Sequence, residues 1–420
     1  MGFYRFLYNE NVDEASIIQN LTEQCSAACS GKRVITIMDT TEINCLEKNN
    51  RLKCFEGLGL LSDNKTKGFL SHPALCFDAD TGEPLGIGGI KLIDRLRGGS
   101  LPPKKTRPIT EKESDKWYST AIEIKEKSLS KALHNVNVYD REGDIYDVFC
   151  GVPDEKTDLV IRSKSNRKVI SDSGKKTTLE RALNEVAKTE FIEFTKHTKS
   201  GSRLNIKAEL KFTNLKILKP TDLRNSISEK KEIQVGVVEV SQIGEVAQGH
   251  EKVHWRILTT IGIESFENAL EVLEIYRSRW RIEEFFRLIK KEGFNLESSE
   301  LEKGKSIRKL SLFIMEAALK IEKLKMSRDG EGEMKTSDLF DNEEIKLLEI
   351  LNEDLQGATD KQKNPYLNEH LSWASWVIAR LGGWKGFKSQ RPPGSIIFFR
   401  GLQKFSTAFM TFKLVKKRCV

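Results

Sequence analysis

Residues 276–291 read YRSRWRIEEFFRLIKK, with basic, aromatic and acidic side chains interleaved. Taken as a helix at about 100° per residue, this stretch sets Tyr276, Arg279, Glu283 and Lys290 within an arc of about 60°. Ile275, Ile282, Phe285, Phe286 and Ile289 take the adjoining face. The polar stripe therefore borders the buried face, where a carboxylate is held against a core and still reaches solvent or a ligand. A break near Arg279 would spoil the four-residue alignment but leave Glu283 and Lys290, two turns apart, on one face. The plainer reading is an exposed i,i+4 pair of Arg279 and Glu283, worth a few tenths of a kcal/mol, with Arg287 beyond it.

The surrounding chain adds two further carboxylates. RVITIMDTTEI, from Arg33, is β-branched and apolar and then opens into polar residues, so Asp39 falls at the carboxyl end of a predicted buried strand. The apolar run Val136–Tyr139 leads into Asp140 in the same way, and LVIRSK from Leu159 reads as another strand. If the first two strands are neighbours and the 276–291 helix packs on them, three acids converge. They would repel one another unless divalent cations lay between them.

Elsewhere, GFLSHPALCFDADTGEPLGIGGIKLI reads as a hairpin turning at Asp80–Pro84. Helical spacing covers 11–30, about 111–133, and the run from Glu264 through the opening stretch. LPPKKTRP is an exposed basic loop. Between about 167 and 258, GSRLNIKAELKFTNLKIL and IQVGVVEVSQI alternate as strands in a lysine-rich background, a β-rich insertion. Residues 326–365 read as acidic and turn-rich, and LSWASWVIARLGG as an apolar helix with a Gly-Gly stop. Together these predict a mixed α/β core interrupted by a β domain.

Lysine and arginine number 69 against 61 acids in 420 residues, a net charge of +8 that hints only weakly at a polyanion partner. No run of about 18 apolar residues suggests a membrane span, and the N-terminus lacks the order of a signal peptide, so an intracellular chain is expected. The cysteines include no CxxC, and Cys25 and Cys29, a helical turn apart, read as packing residues. A metal, if held, would take oxygen ligands, which favours Mg²⁺ or Mn²⁺.

YRSRWRIEEFFRLIK matches Y-x2-R-x3-E-x6-K, and the sequence resembles the insertion-sequence-four-type bacterial DDE transposases, whose YREK signature has this spacing. ITIMDTT, EKESDKW, YDREGDI, IRSK, HWRILTT and ARLGGW accompany it in the family's order, so the resemblance covers nearly the whole chain. It implies an RNase H-like mixed sheet with a β-rich insertion and a helical C-terminal region. The corresponding segments are 1–33 (a residual N-terminal helical linker), 34–166 (core), 167–260 (insertion), 261–325 (core with the Glu helix) and 326–420 (helical). Only 38 residues precede Asp39, fewer than full-length members of that family carry, and GFYRFLYNENV corresponds to the helix joining their end-recognition domain to the core.

The resemblance implies that Asp39, Asp140 and Glu283 bind two Mg²⁺ (or Mn²⁺) ions and that Tyr276, Arg279 and Lys290 hold transposon-end phosphates. Arg162, Lys164 and Arg287 match DNA-contacting positions, and Trp255 matches the tryptophan that stacks on a flipped base. The plainer alternatives are a strand core residue for Trp255, a half-buried helix tyrosine for Tyr276 and a solvated lysine for Lys164. Double-stranded DNA, a homodimeric synaptic complex and a bacterial cytoplasmic location, nucleoid-associated on DNA, follow from the same likeness. Two other readings stand beside it: a non-catalytic truncated fragment that inhibits a full-length transposase, and a stand-alone RNase H-like nuclease.

Overall fold

A computed structural model describes residues 2–45, 51–95, 107–197, 203–223, 225–246, 249–387 and 390–418. Most of the basic loop LPPKKTRP lies outside them. The strands are β1 (Arg33–Met38), β2 (Thr41–Asn44), β3 (Gly59–Leu60), β4 (Lys67–Asp78), β5 (Pro84–Ile93), β6 (His134–Tyr139), β7 (Thr157–Arg162), β8 (Lys168–Ile170), β9 (Lys176–Thr178), β10 (Glu190–His197), β11 (Arg203–Leu218), β12 (Glu232–Gln242) and β13 (His254–Thr259). They form one 13-stranded mixed sheet in the order β2-β4-β1-β6-β7-β13-β12-β11-β8-β9, with β3 and β5 also on β4 and β10 on β11.

The centre of this sheet is a parallel trio. β1 runs parallel to β6, with Ile37 opposite Val138, and β6 runs parallel to β7, with Val138 opposite Val160. Parallel strands need cover on both faces and so read as nearly unbroken apolar runs. Alternate residues serve the two faces. Ile37, Val138 and Val160 join a cluster with Tyr276, Ile282, Phe285, Met315 and Trp376, from helices Phe266–Arg277, Trp280–Arg287, Gly304–Ser327 and Leu371–Leu381. Met38, Tyr139, Leu159 and Ile161 join a second cluster with Cys25 and Cys29 of helix Glu14–Cys29 and Trp117 and Ile124 of helix Asp115–Glu126. The result is a sheet sandwiched between helical layers.

β8–β13 fall within the stretch expected as a β-rich insertion, yet they do not make a separate sheet. β13 pairs antiparallel with β7, Leu258 opposite Ile161, so they extend the core sheet beyond its parallel trio. Alternation reveals a half-buried strand but not its neighbour, which is why the sequence suggested separation.

Within the expected turn-rich stretch 326–365 lies a helix, Asn342–Leu355, with Asp341 and Glu344 forming a capping box. Its acidic start is a helix-entry signal that composition alone disguises. In helix Ser395–Arg418, Phe398 and Phe405 are buried, and Ile397, Phe399 and Leu402 pack against the same core. These residues finish the core of this chain. No described helix is long and apolar enough to cross a membrane.

Candidate active site

Asp39 follows the last residue of β1 and Asp140 the last residue of β6. Adjacent parallel strands therefore deliver both acids to one carboxyl edge, the side on which open α/β sheets bind ligands. Each is fixed by the backbone just beyond it. Thr40 N donates to Asp39 Oδ1 at 2.7 Å. Glu142 N donates to Asp140 Oδ1 at 2.8 Å, which opens a short 3₁₀ turn, Arg141–Gly143.

The third acid arrives on a helix that is not continuous, contrary to the uniform winding expected over 276–291. Helix Phe266–Arg277 ends, Trp280–Arg287 begins, and Leu288–Glu292 is a π-helical turn. At the junction Arg279 N bonds Tyr276 O at 3.1 Å, Arg281 N bonds Ser278 O at 3.1 Å and Ile282 N bonds Arg279 O at 3.2 Å. These are i to i−3 bonds, a local tightening. Ser278 Oγ donates to Ile275 O at 2.6 Å, supplying a side-chain alternative for that carbonyl. Tightening at one end and π-winding at the other remove the single four-residue stripe.

Arg279 sits at the junction and joins two of the acids. Its Nη1 donates to Asp39 Oδ2 at 3.0 Å, and its Nη2 donates to the Glu283 carboxylate. Asp39 is pushed up to about 7, by burial first and then by the charge of Asp140, with Glu283 adding to it; Arg279 and the Thr40 N–H act against the rise. Burial is also the largest influence on Arg279 and lowers its pKa, but Tyr276, Glu283 and Asp39 together outweigh it and raise the guanidinium above its ordinary range. Arg279 thus bonds two of the three carboxyl groups, and Asp140 acts on Asp39 electrostatically. The donor set of the three acids is all oxygen, which fits a hard divalent cation such as Mg²⁺ or Mn²⁺.

A cleft of about 520 Å³ opens beside Glu283 and gathers Arg162, Trp255, Tyr276 and Arg279 from the expected set. Tyr276 is buried, with its ring 5.6 Å edge-on from Trp255. Arg162 ends β7, and its Nη2 donates to His254 O at 3.2 Å. The remaining expected residues do not line this cleft. Lys164 is exposed, with its N–H donating to Asp144 Oδ2 at 2.7 Å. Arg287 lies 3.7 Å from Glu292. Lys290 Nζ donates to Glu42 O at 2.7 Å and is 3.2 Å from Glu297, because the π turn changes the direction in which it projects.

Phe194 was not expected here. Its ring is 5.7 Å from Trp255, and the Arg277 guanidinium lies 4.9 Å from its centroid. Alternation in EFIEFTKH marks a strand but not its neighbour across the sheet. Glu284 pairs with Lys325 at 3.3 Å and lines the cleft. Its partner comes from a helix far along the chain. Glu142 is exposed, 3.8 Å from Lys116. His72 is fully buried on β4, its ring nitrogen 2.9 Å from Thr40 Oγ1, and burial, then Lys116 and Lys91, push it down to about 3. It is therefore neutral behind the site. No protein-family model matches the chain.

Proposed function

We propose that this chain is a DDE transposase of the insertion-sequence-four type, with an RNase H-like core at 34–166 and 261–325, a β-rich insertion at 167–260 and a helical C-terminal region. It cuts transposon ends and joins them to target DNA. The observation that carries this reading is the placement of Asp39 and Asp140 at the ends of neighbouring parallel strands, with Glu283 tied to Asp39 through Arg279. The ordered motifs around YRSRWRIEEFFRLIK support it.

In this reading Asp39, Asp140 and Glu283 hold two Mg²⁺ or Mn²⁺ ions, which when bound activate a water or 3′-hydroxyl and stabilise the leaving oxygen. Arg279 holds Asp39 and Glu283 in orientation and offers fixed positive charge where the phosphate becomes more negative. Arg162 and Tyr276, in the adjoining cleft, position the DNA backbone. The faces of Trp255 and Phe194 exchange stacking with a base turned out of the duplex, worth about 1–3 kcal/mol. Such a base leaves the flanking end free to bend into a hairpin, formed when the freed 3′-hydroxyl attacks the opposite strand. Opening of the hairpin and strand transfer complete the sequence, in a homodimer on the two ends.

The test is a gel assay with labelled DNA from either side of the gene and Mg²⁺. Wild type should give nicked, hairpin and strand-transfer products, and Glu283→Gln none. Nicks without hairpin or transfer would favour a stand-alone nuclease. Identical, inactive behaviour of wild type and Glu283→Gln would leave only the inhibitory-fragment reading.

A further inference from the structure

Away from the carboxylates, three thiols meet between helix Glu14–Cys29 and the β4–β5 hairpin. Cys25 and Cys29 stand on the helix and Cys76 on β4, where it pairs with Gly86 of β5. All three are 0 % exposed. Cys25 Sγ is 3.7 Å from Cys29 Sγ, and the three sulfurs lie within 4.8 Å of one another. A trigonal ion with metal–sulfur bonds of about 2.3 Å needs sulfurs about 4 Å apart. The triangle closes on such an ion with small side-chain shifts.

Glycines permit the approach. A Cβ on Gly86 would come within 2.7 Å of Cys25 Cβ, and one on Gly88 within 2.8 Å of Cys76 Sγ. Thr36 Oγ1, on the neighbouring β1, is 3.7 Å from Cys76 Sγ and offers an oxygen donor. Lys323 acts electrostatically on Cys25 and Cys29, and Lys32, paired with Asp78 at 2.6 Å, acts on Cys29. Three thiolates leave a charge of −2 around Cu⁺ or −1 around Zn²⁺, part of which the Lys323 ammonium offsets.

We propose that Cys25, Cys29 and Cys76 bind one soft d¹⁰ cation that pins the helix to the sheet. Thiolate sets select such ions. Cu⁺ is satisfied by the three sulfurs, whereas Zn²⁺ takes the Thr36 hydroxyl as its fourth donor. Binding releases one proton for each thiol that becomes a thiolate, with no redox step. The pairing of Cys25 with Cys29 read as packing in the sequence because Cys76 lies on β4, beyond β1, β2 and β3.

The site is enclosed, so the ion is loaded by refolding the full chain with Cd²⁺ as a zinc surrogate or, anaerobically, with Cu⁺, followed by gel filtration. One ion per chain, a near-ultraviolet thiolate-to-metal charge-transfer band and a higher Tm than the chain refolded in chelator are expected. Retention of Cu⁺ in Thr36→Val with loss of Cd²⁺ assigns the zinc-type geometry, and retention of both assigns three-sulfur binding. Cys76→Ser and Cys29→Ala should each lose the ion, and Cys54→Ser should keep it. Folding of each variant is checked by circular dichroism; if neither cysteine variant folds, the cadmium NMR shift of the wild-type complex decides. A shift in the oxygen-ligand range, no retained ion, or retention by Cys76→Ser would overturn the proposal.

Discussion

Arg167 meets one carboxylate, and Arg279 meets two. Arg167 Nε donates to Asp144 Oδ1 at 3.0 Å and its Nη2 to the same oxygen at 2.5 Å, while Lys164 N–H fills Oδ2 at 2.7 Å. The two side chains are 9 % and 0 % exposed. Charge is balanced and both carboxylate oxygens are occupied, so that pair serves to lock the loop after β7 onto the turn after β6. Arg279 instead divides its guanidinium between Asp39 and Glu283, while the Asp140 charge raises the pKa of Asp39. A buried acid with a single full partner is structural, whereas half-buried acids outnumbering the partner they share leave room for a cation.

The contrast can be broken most decisively by loss of activity. Glu283→Gln should lower Mg²⁺-dependent DNA cleavage by about a thousandfold or more, because several kcal/mol of charge stabilisation goes with the carboxylate; product gels measure this. Arg167→Ala should cost about 3–5 kcal/mol of stability in urea unfolding by stranding the Asp144 charge, and Mg²⁺ should not restore it. Arg279→Gln should destabilise the metal-free chain by a smaller amount, about 1–3 kcal/mol, and Mg²⁺ should recover it by binding the folded state. Equal rescue of both arginine variants would erase the distinction.

A weaker effect is the pH dependence without metal. Asp39 rises from 3.8 to about 7 on folding, so the native state keeps a proton that the unfolded state releases. Its stabilising contribution is complete below 3.8 and is lost as pH rises through about 7. Urea midpoints across that window, in chelator, should fall more steeply for wild type than for Asp39→Asn. Smallest of all, Lys164→Ala should reduce the salt dependence of DNA binding by about one in log–log slope and leave cleavage intact.

Asp39 and Asp140 were legible because a strand-then-acid pattern repeats and parallel neighbours end at the same edge. The winding of the third segment was not, since no proline or glycine marks 276–292. Its tightened turn accompanies the side-chain bonds of Ser278 and Arg279, and the partner of Arg279 lies in β1's loop, remote in sequence. Phe194 and Cys76 were hidden for a related reason: their contacts are made across strands or layers, where periodicity gives the face but not the neighbour. The helix Asn342–Leu355 was masked by charge, although Asp341 and Glu344 carried its entry signal.

Mn²⁺ binding to the full chain, followed by loss of the free-ion paramagnetic resonance signal, tests the acid cluster most directly. Wild type should bind, Asp39→Asn and Asp140→Asn should each weaken binding by at least about tenfold, equivalent to about 1.4 kcal/mol, and the exposed Glu142→Gln should leave it unchanged. Binding by Asp39→Asn and Asp140→Asn indistinguishable from wild type would contradict the assignment of this cluster as a divalent-cation site.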